Sequence, residues 1–168
     1  MNQRHQKASL LAAIVVQVAV LIGMLAHAAT PLWVGEEIRV KTLPVDPRSL
    51  FRGNYARLGY EFSRIEGTAL IGAHRPRVGE IVYVTLTRNA DGLHEYAGIS
   101  DQPPTTGLFL RGRNTSSSSP WRIRFGIEAF FAPTDRALAL EKDLRDGGIA
   151  VLMVTDEGRV ALKDVIGE

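Results

Sequence analysis

Between Ala8 and Ala29 the chain places 22 consecutive residues without a charge. No other feature limits the fold as strongly. Wound as a helix, the run is about 33 Å long, enough to cross a hydrocarbon core. Its apolar residues occupy every side and form no 3.6-residue stripe, so such a helix has no polar face to turn toward water. Ser9, Gln17 and His27 are its only polar members. Arg4 and Lys7 precede it, and the first acidic residue, Glu36, follows it. That charge bias keeps the N-terminus in the cytoplasm and exports everything after Thr30. Trp33 stands where an interfacial aromatic anchor belongs. The expected organisation is a cytoplasmic tail and anchor over residues 1–30, with the membrane crossed by residues 8–29, and an exported domain over residues 34–168. In a bacterium this is a single-pass inner-membrane protein with a periplasmic domain. A cleaved signal peptide is the competing reading. Arg4 and Lys7 would be its basic region and Ala26-His27-Ala28 its cleavage site, although Leu10 to Leu25 exceeds the usual apolar region of ~7–15 residues. Both readings export the same domain.

The 168 residues suit one domain with a real core. Setting aside Arg4 and Lys7 leaves 18 of the 20 basic residues against 18 acidic ones, so the exported part carries no net charge. The pI of about 9.1 therefore belongs to the tail and does not mark a nucleic-acid-binding domain. The absence of cysteine excludes disulfides, thiol catalysis and Cys-ligated metal sites.

Beyond the apolar run the pattern changes to period two. Glu37 to Leu43 alternates, as does Tyr55 to Ser63, where Ala56, Leu58, Tyr60 and Phe62 form the apolar set. Glu80 to Arg88 is apolar on both faces, as in a central strand, and turns at Asn89-Ala90-Asp91-Gly92 into a partner over Leu93 to Ile99. Gly107 to Arg113 is a further strand, followed by a polar loop, Asn114 to Pro120, expected to be flexible. Trp121, Ile123, Phe125 and Ile127 alternate with Arg122, Arg124, Gly126 and Glu128 in the cleanest period-two run of the chain. Thr134 can cap one short helix that stops at Gly147. A last hairpin joins Ile149–Val154 to Arg159–Ile166 through Asp156-Glu157-Gly158. The expected fold is mainly β: a compact antiparallel barrel or sandwich with one short helix, preceded by an N-terminal transmembrane helix.

The most distinctive segment runs from Asp46 to Glu61. Asp46 before Pro47 suits the start of a short helical turn, and Gly53 its end. Leu58 and Tyr60 belong to the core face. Packing gives no reason for Arg48, Arg52, Tyr55, Arg57 or Glu61. The run Gly53-Asn54-Tyr55-Ala56-Arg57-Leu58-Gly59-Tyr60 resembles the Gly-Asp-Tyr-x-x-Leu-x-Tyr motif of the GDYXXLXY family of membrane-anchored bacterial proteins. Pro44-Val45-Asp46-Pro47-Arg48 and Leu50-Phe51-Arg52 are similar to that family's flank, and Arg124-Phe125-Gly126-Ile127-Glu128 with Phe130-Phe131 to a later motif. Asn54 departs from the Asp of the family name. The resemblance implies an accessory protein without assigned activity, partnered by a multi-span inner-membrane protein.

Residues that carry chemistry are sparse. His5, His27, His74 and His94 form no pair with ligand spacing, so no metal site or cofactor is expected. Asn54 cannot ionise, which denies a carboxylate pair with Asp46 or Glu61; Asn suits a turn. Ser49 with Lys41 or Lys163 is a weak Ser–Lys arrangement. Charged faces remain: Arg57 with Glu61, Arg111 with Arg113, and Arg122 and Arg124 with Glu128. If these strands are neighbours, they build an Arg-rich sheet face. Its ordinary role is a solvated surface with cross-strand ion pairs, and its sharper role is docking of a partner or an anionic ligand. The candidate binding residues are therefore Asp46, Arg48, Arg52, Asn54, Tyr55, Arg57, Glu61, Arg124 and Glu128. No catalytic residue is assigned. The alternative is a membrane-anchored hydrolase with a site around Asp46, Ser49 and Arg52.

Overall fold

In the computed structural model, residues 3–43, 55–66, 75–131 and 147–167 are described. The short helix expected after Thr134 and the helical turn expected over Pro47–Arg52 lie outside them. The apolar run forms helix α1, Gln3–Val34, longer at both ends than its uncharged centre. Within it Ser9–Val34 is 26 residues long and apolar enough to cross a membrane. The side chains from Ser9 to Leu25 are exposed on all sides, as the missing stripe requires. The helix continues through Pro31, and only Gly35 separates it from the first strand.

The remainder is mainly β, as the alternation predicts. The strands are β1 (Glu36–Leu43), β2 (Tyr55–Arg57), β3 (Gly59–Tyr60), β4 (Arg64–Ile65), β5 (Ile81–Arg88), β6 (His94–Ser100), β7 (Leu108–Asn114), β8 (Trp121–Arg124), β9 (Ala129–Phe131), β10 (Gly148–Val154) and β11 (Val160–Gly167). They form a four-stranded sheet, β11-β10-β1-β3, a five-stranded sheet, β4-β8-β7-β5-β6, and a ribbon, β2-β9, and all pairings are antiparallel. Ile38, Val40, Ala150 and Leu152 from the first sheet meet Val82, Val84, Leu110 and Ile123 from the second in one core. Burial alternates along β1 and β5, so each sheet has a packed face and an outer face.

Two expected strands are broken. The run from Tyr55 to Ser63 keeps its buried set of Leu58, Tyr60 and Phe62, yet it is not one strand. β2 pairs with β9, β3 with β1, a 3-10 turn covers Glu61–Ser63, and β4 pairs with β8. The segment turns a corner and changes sheets, which requires bends in the ladder. Arg57 and Glu61 consequently do not share a strand face. The run from Trp121 likewise leaves its sheet after Arg124, and Gly126, with φ +87°, takes the turn. Glu128 is therefore not on a strand face with Arg122 and Arg124.

The loop after β7, expected to be flexible, is tied down. Asn114 is fully buried (0 % exposed) and its Nδ2 donates to the carbonyls of Pro76, Arg77 and Ser116 at 3.1, 3.1 and 2.9 Å. The Thr115 N–H and hydroxyl both donate to the Arg122 carbonyl, at 2.8 and 3.0 Å.

Candidate functional site

Two arrangements stand out, one structural and one exposed. The first joins the motif strand to the segment after β8. The Leu58 N–H donates to the Glu128 carbonyl at 3.0 Å, and the Tyr60 hydroxyl donates to the Ile127 carbonyl at 2.9 Å. Phe62 stacks on Tyr60 at 5.1 Å and meets Phe125 edge-on at 5.4 Å. Residues Tyr55, Ala56 and Arg57 pair with Phe131, Phe130 and Ala129. The Glu128 carboxylate accepts from the backbone N–H groups of Phe125 at 2.6 Å and Gly126 at 3.0 Å. It thereby holds the turn that carries the chain from β8 to β9. Burial, and then the negative charge of Glu128, push the Tyr60 phenol far above the ordinary tyrosine range. Two motifs nearly seventy positions apart are thus one clasp, and Glu128 has a backbone duty that alternation alone does not disclose.

The second arrangement is the outer face of the five-stranded sheet. Arg113 lies opposite Arg124 and Arg64 opposite Arg122, with Arg111 two residues from Arg113. All five are exposed. The neighbouring outward positions on β5 are Ile81 and Tyr83, opposite Arg113 and Arg111. Ile81, Arg111, Arg113, Thr115, Arg124 and Phe125 line a depression of about 540 Å³. The Arg113 Nη1 donates to the Gly79 carbonyl at 2.5 Å, which fixes one arm of that guanidinium. Arg64 has a loose ion pair with Glu66 at 3.7 Å on its own strand end. Among the described residues, Arg111, Arg122 and Arg124 make no ion pair. Of the two carboxylates expected on this face, Glu128 is taken up by the Phe125 and Gly126 N–H groups, and Glu61 lies in the 3-10 turn.

One end of this face meets the last hairpin. Where β8 turns away, the Arg111 N–H is taken by the Gly158 carbonyl at 2.7 Å. Phe109, outward-facing yet only 8 % exposed, lies under that turn and meets Tyr83 edge-on at 5.7 Å. Gly158 has φ +75°, and a Cβ there would stand 2.6 Å from the Phe109 ring. A side chain at this position would break the docking of hairpin on sheet.

The outer face of the other sheet behaves differently. There Lys163 donates to Glu37 at 2.7 Å, and this hydrogen bond and charge hold the Glu37 carboxyl below its ordinary value. Lys163 is thus an exposed ion-pair partner, and Lys41 is exposed on β1. Asp46, Arg48, Ser49, Arg52 and Asn54 lie outside the described residues, as does the hydrolase site they would form. Tyr55 is placed on β2, Arg57 is exposed beside it, and Glu61 is exposed in the 3-10 turn. Among the described residues no group of three or more His, Asp or Glu side chains is close enough to hold a metal ion.

A junction ties this domain to α1. Pro31 has no N–H, so the His27 carbonyl lacks its helical donor. The Arg159 Nη2 supplies one at 2.5 Å. The Gly35 N–H closes the helix on the Pro31 carbonyl at 2.9 Å, and a Cβ on Gly35 would strike Val154 at 2.9 Å. Leu32, Trp33 and Val34 remain exposed on the helix, Trp33 by 70 %.

The family model described as GDYXXLXY protein matches residues 17–165. No curated protein and no solved structure matches the chain.

Proposed function

Since the chain belongs to the GDYXXLXY family and bears one apolar helix long enough to cross a bilayer, we propose a single-pass, inner-membrane-anchored accessory protein whose periplasmic β domain docks onto a membrane-protein partner. The observation that carries this reading is the junction. With a single residue between helix and sheet, and Arg159 bonded to the helix backbone, the domain is held beside the span. A domain so placed meets other membrane proteins edge to edge. A diffusible substrate would call for no such restraint. Partner contacts are assigned to exposed side chains that the fold does not use, Arg57, Glu61 and Arg124, together with Asp46, Arg48, Arg52, Asn54 and Tyr55 of the motif segment.

Photo-crosslinking residues placed along Arg57, Arg122 and Arg124 in native membranes test the reading. A discrete product with one multi-span membrane protein is expected. No product from any position would overturn docking. Topology is tested separately: a reporter after Glu168 should be active only on the periplasmic side, and membrane-extracted protein should retain its first residues. A mature form beginning near Ala29 that salt washes from the membrane would overturn the anchor.

A further inference from the structure

From the arginine face we infer the chemistry of the partner: it is a surface for an extended, carboxylate-rich segment of a protein. This rests on the docking reading above and names what docks. Like charges directly opposite each other in an antiparallel pair are destabilising, and this sheet does it twice, with Arg113 across from Arg124 and Arg64 across from Arg122. A surface meant only for water would alternate sign, as the Glu37–Lys163 pair does on the opposite sheet. Within the fold the loose Arg64–Glu66 contact at 3.7 Å is a slight remedy for one pair, and a local rule broken with so little compensation marks a site completed by something else.

The spacing narrows the occupant. Arg111, then Arg113 with Arg124, then Arg122 with Arg64 make three rungs, each two residues beyond the last along β7 and β8. In a strand two residues span about 6.6–6.8 Å. The same repeat separates alternate side chains of an extended peptide, so Glu or Asp at every second position meets a guanidinium at every rung. Guanidinium forks take carboxylates in bidentate fashion, and this planar match is why arginine rather than lysine fills such faces. The outward Ile81 and Tyr83, opposite Arg113 and Arg111, give apolar contact beside the rungs.

Charge at the helix end decides against a lipid surface. Glu36, Asp156 and Glu157 are all exposed where α1 enters the domain, since Glu36 pairs with Val154 and the Asp156-Glu157 turn follows that residue. This acidic rim repels anionic headgroups, and the arginine rungs lead away from it, beginning at Arg111 beside Gly158.

The full-length protein in neutral detergent micelles is titrated with a labelled peptide of alternating Glu and Ser, and with the same peptide carrying Gln for Glu. The acidic peptide should bind, more weakly as salt rises, and the Gln peptide should not. The double variants Arg113→Gln/Arg124→Gln and Arg64→Gln/Arg122→Gln should each weaken binding about tenfold or more. Thermal unfolding verifies that both are folded. Wild-type affinity in both double variants, or equal binding of the Gln peptide, would overturn the inference. So would binding of phosphatidylglycerol-doped micelles through these arginines with no binding of the peptide. Peptide binding without any crosslinked partner in native membranes would sink the docking reading alone. A crosslinked partner retained by both double variants would sink this face as its site.

Discussion

Tyr60 is 1 % exposed, and its hydroxyl meets a backbone carbonyl in the core. Because its pKa is raised in the folded state, the folded chain keeps this proton at pH values where the unfolded chain has lost it. Stability from this group is complete below the unfolded value of about 10 and falls as pH climbs above it. Tyr60→Phe should therefore lower stability by about 1–2 kcal/mol at neutral pH by orphaning the Ile127 carbonyl, and flatten the alkaline loss. Urea unfolding at neutral and alkaline pH measures both; an unchanged alkaline slope would assign the loss to another group. Glu128→Ala should cost about 1–3 kcal/mol, since two backbone N–H groups lose their acceptor. A variant with wild-type stability would return Glu128 to the list of surface contacts. The burial of Leu58 and Tyr60 was legible because alternation reports which side chains face inward. The duty of Glu128 was not: Phe125 to Glu128 alternate as a strand would, and alternation is silent about where a carboxylate finds its donors.

The long strands of the two sheets fell within a residue or two of their expected bounds, and the last hairpin was recognisable from its turn residues. Tyr55 to Ser63 and Trp121 to Glu128 misled for one shared reason. Period two records burial and says nothing of the hydrogen-bonding neighbour, so a corner that passes among three partners looks like one strand. The arginine face was visible only as a conditional, because adjacency of β4, β8 and β7 is a long-range property. Its energetic signature can be measured on the sheet itself. Arg124→Gln removes one of two opposed charges and should raise stability by a few tenths of a kcal/mol while weakening the acidic peptide. A loss of stability would mean that Arg124 is already compensated within the fold.

Across the whole molecule, the link between α1 and the sheets matters most. Arg159→Ala leaves the His27 carbonyl without a donor and should broaden the distances between spin labels on α1 and on β7. Pro31→Ala restores the helix's own bond and should release Arg159 to solvent. The chain has no cysteine, so a pair of labels at two introduced cysteines meets no background, and an unchanged distribution in Arg159→Ala would show that Gly35 and the packing around it suffice. The apolar stretch from Ser9 to Val34 would be about 39 Å long if upright, beyond a hydrocarbon core of ~30 Å, so a helix that crosses a bilayer with this stretch would lean to fit. With one residue between helix and sheet, the domain would lean with it, like a flag fixed to a mast. In the membrane-anchored reading, bilayer thickness would then set the angle at which the arginine face stands to the membrane. A fluorophore at position 122 should accordingly change its accessibility to headgroup-attached quenchers as lipid chains lengthen, and a constant signal would mean that the junction bends.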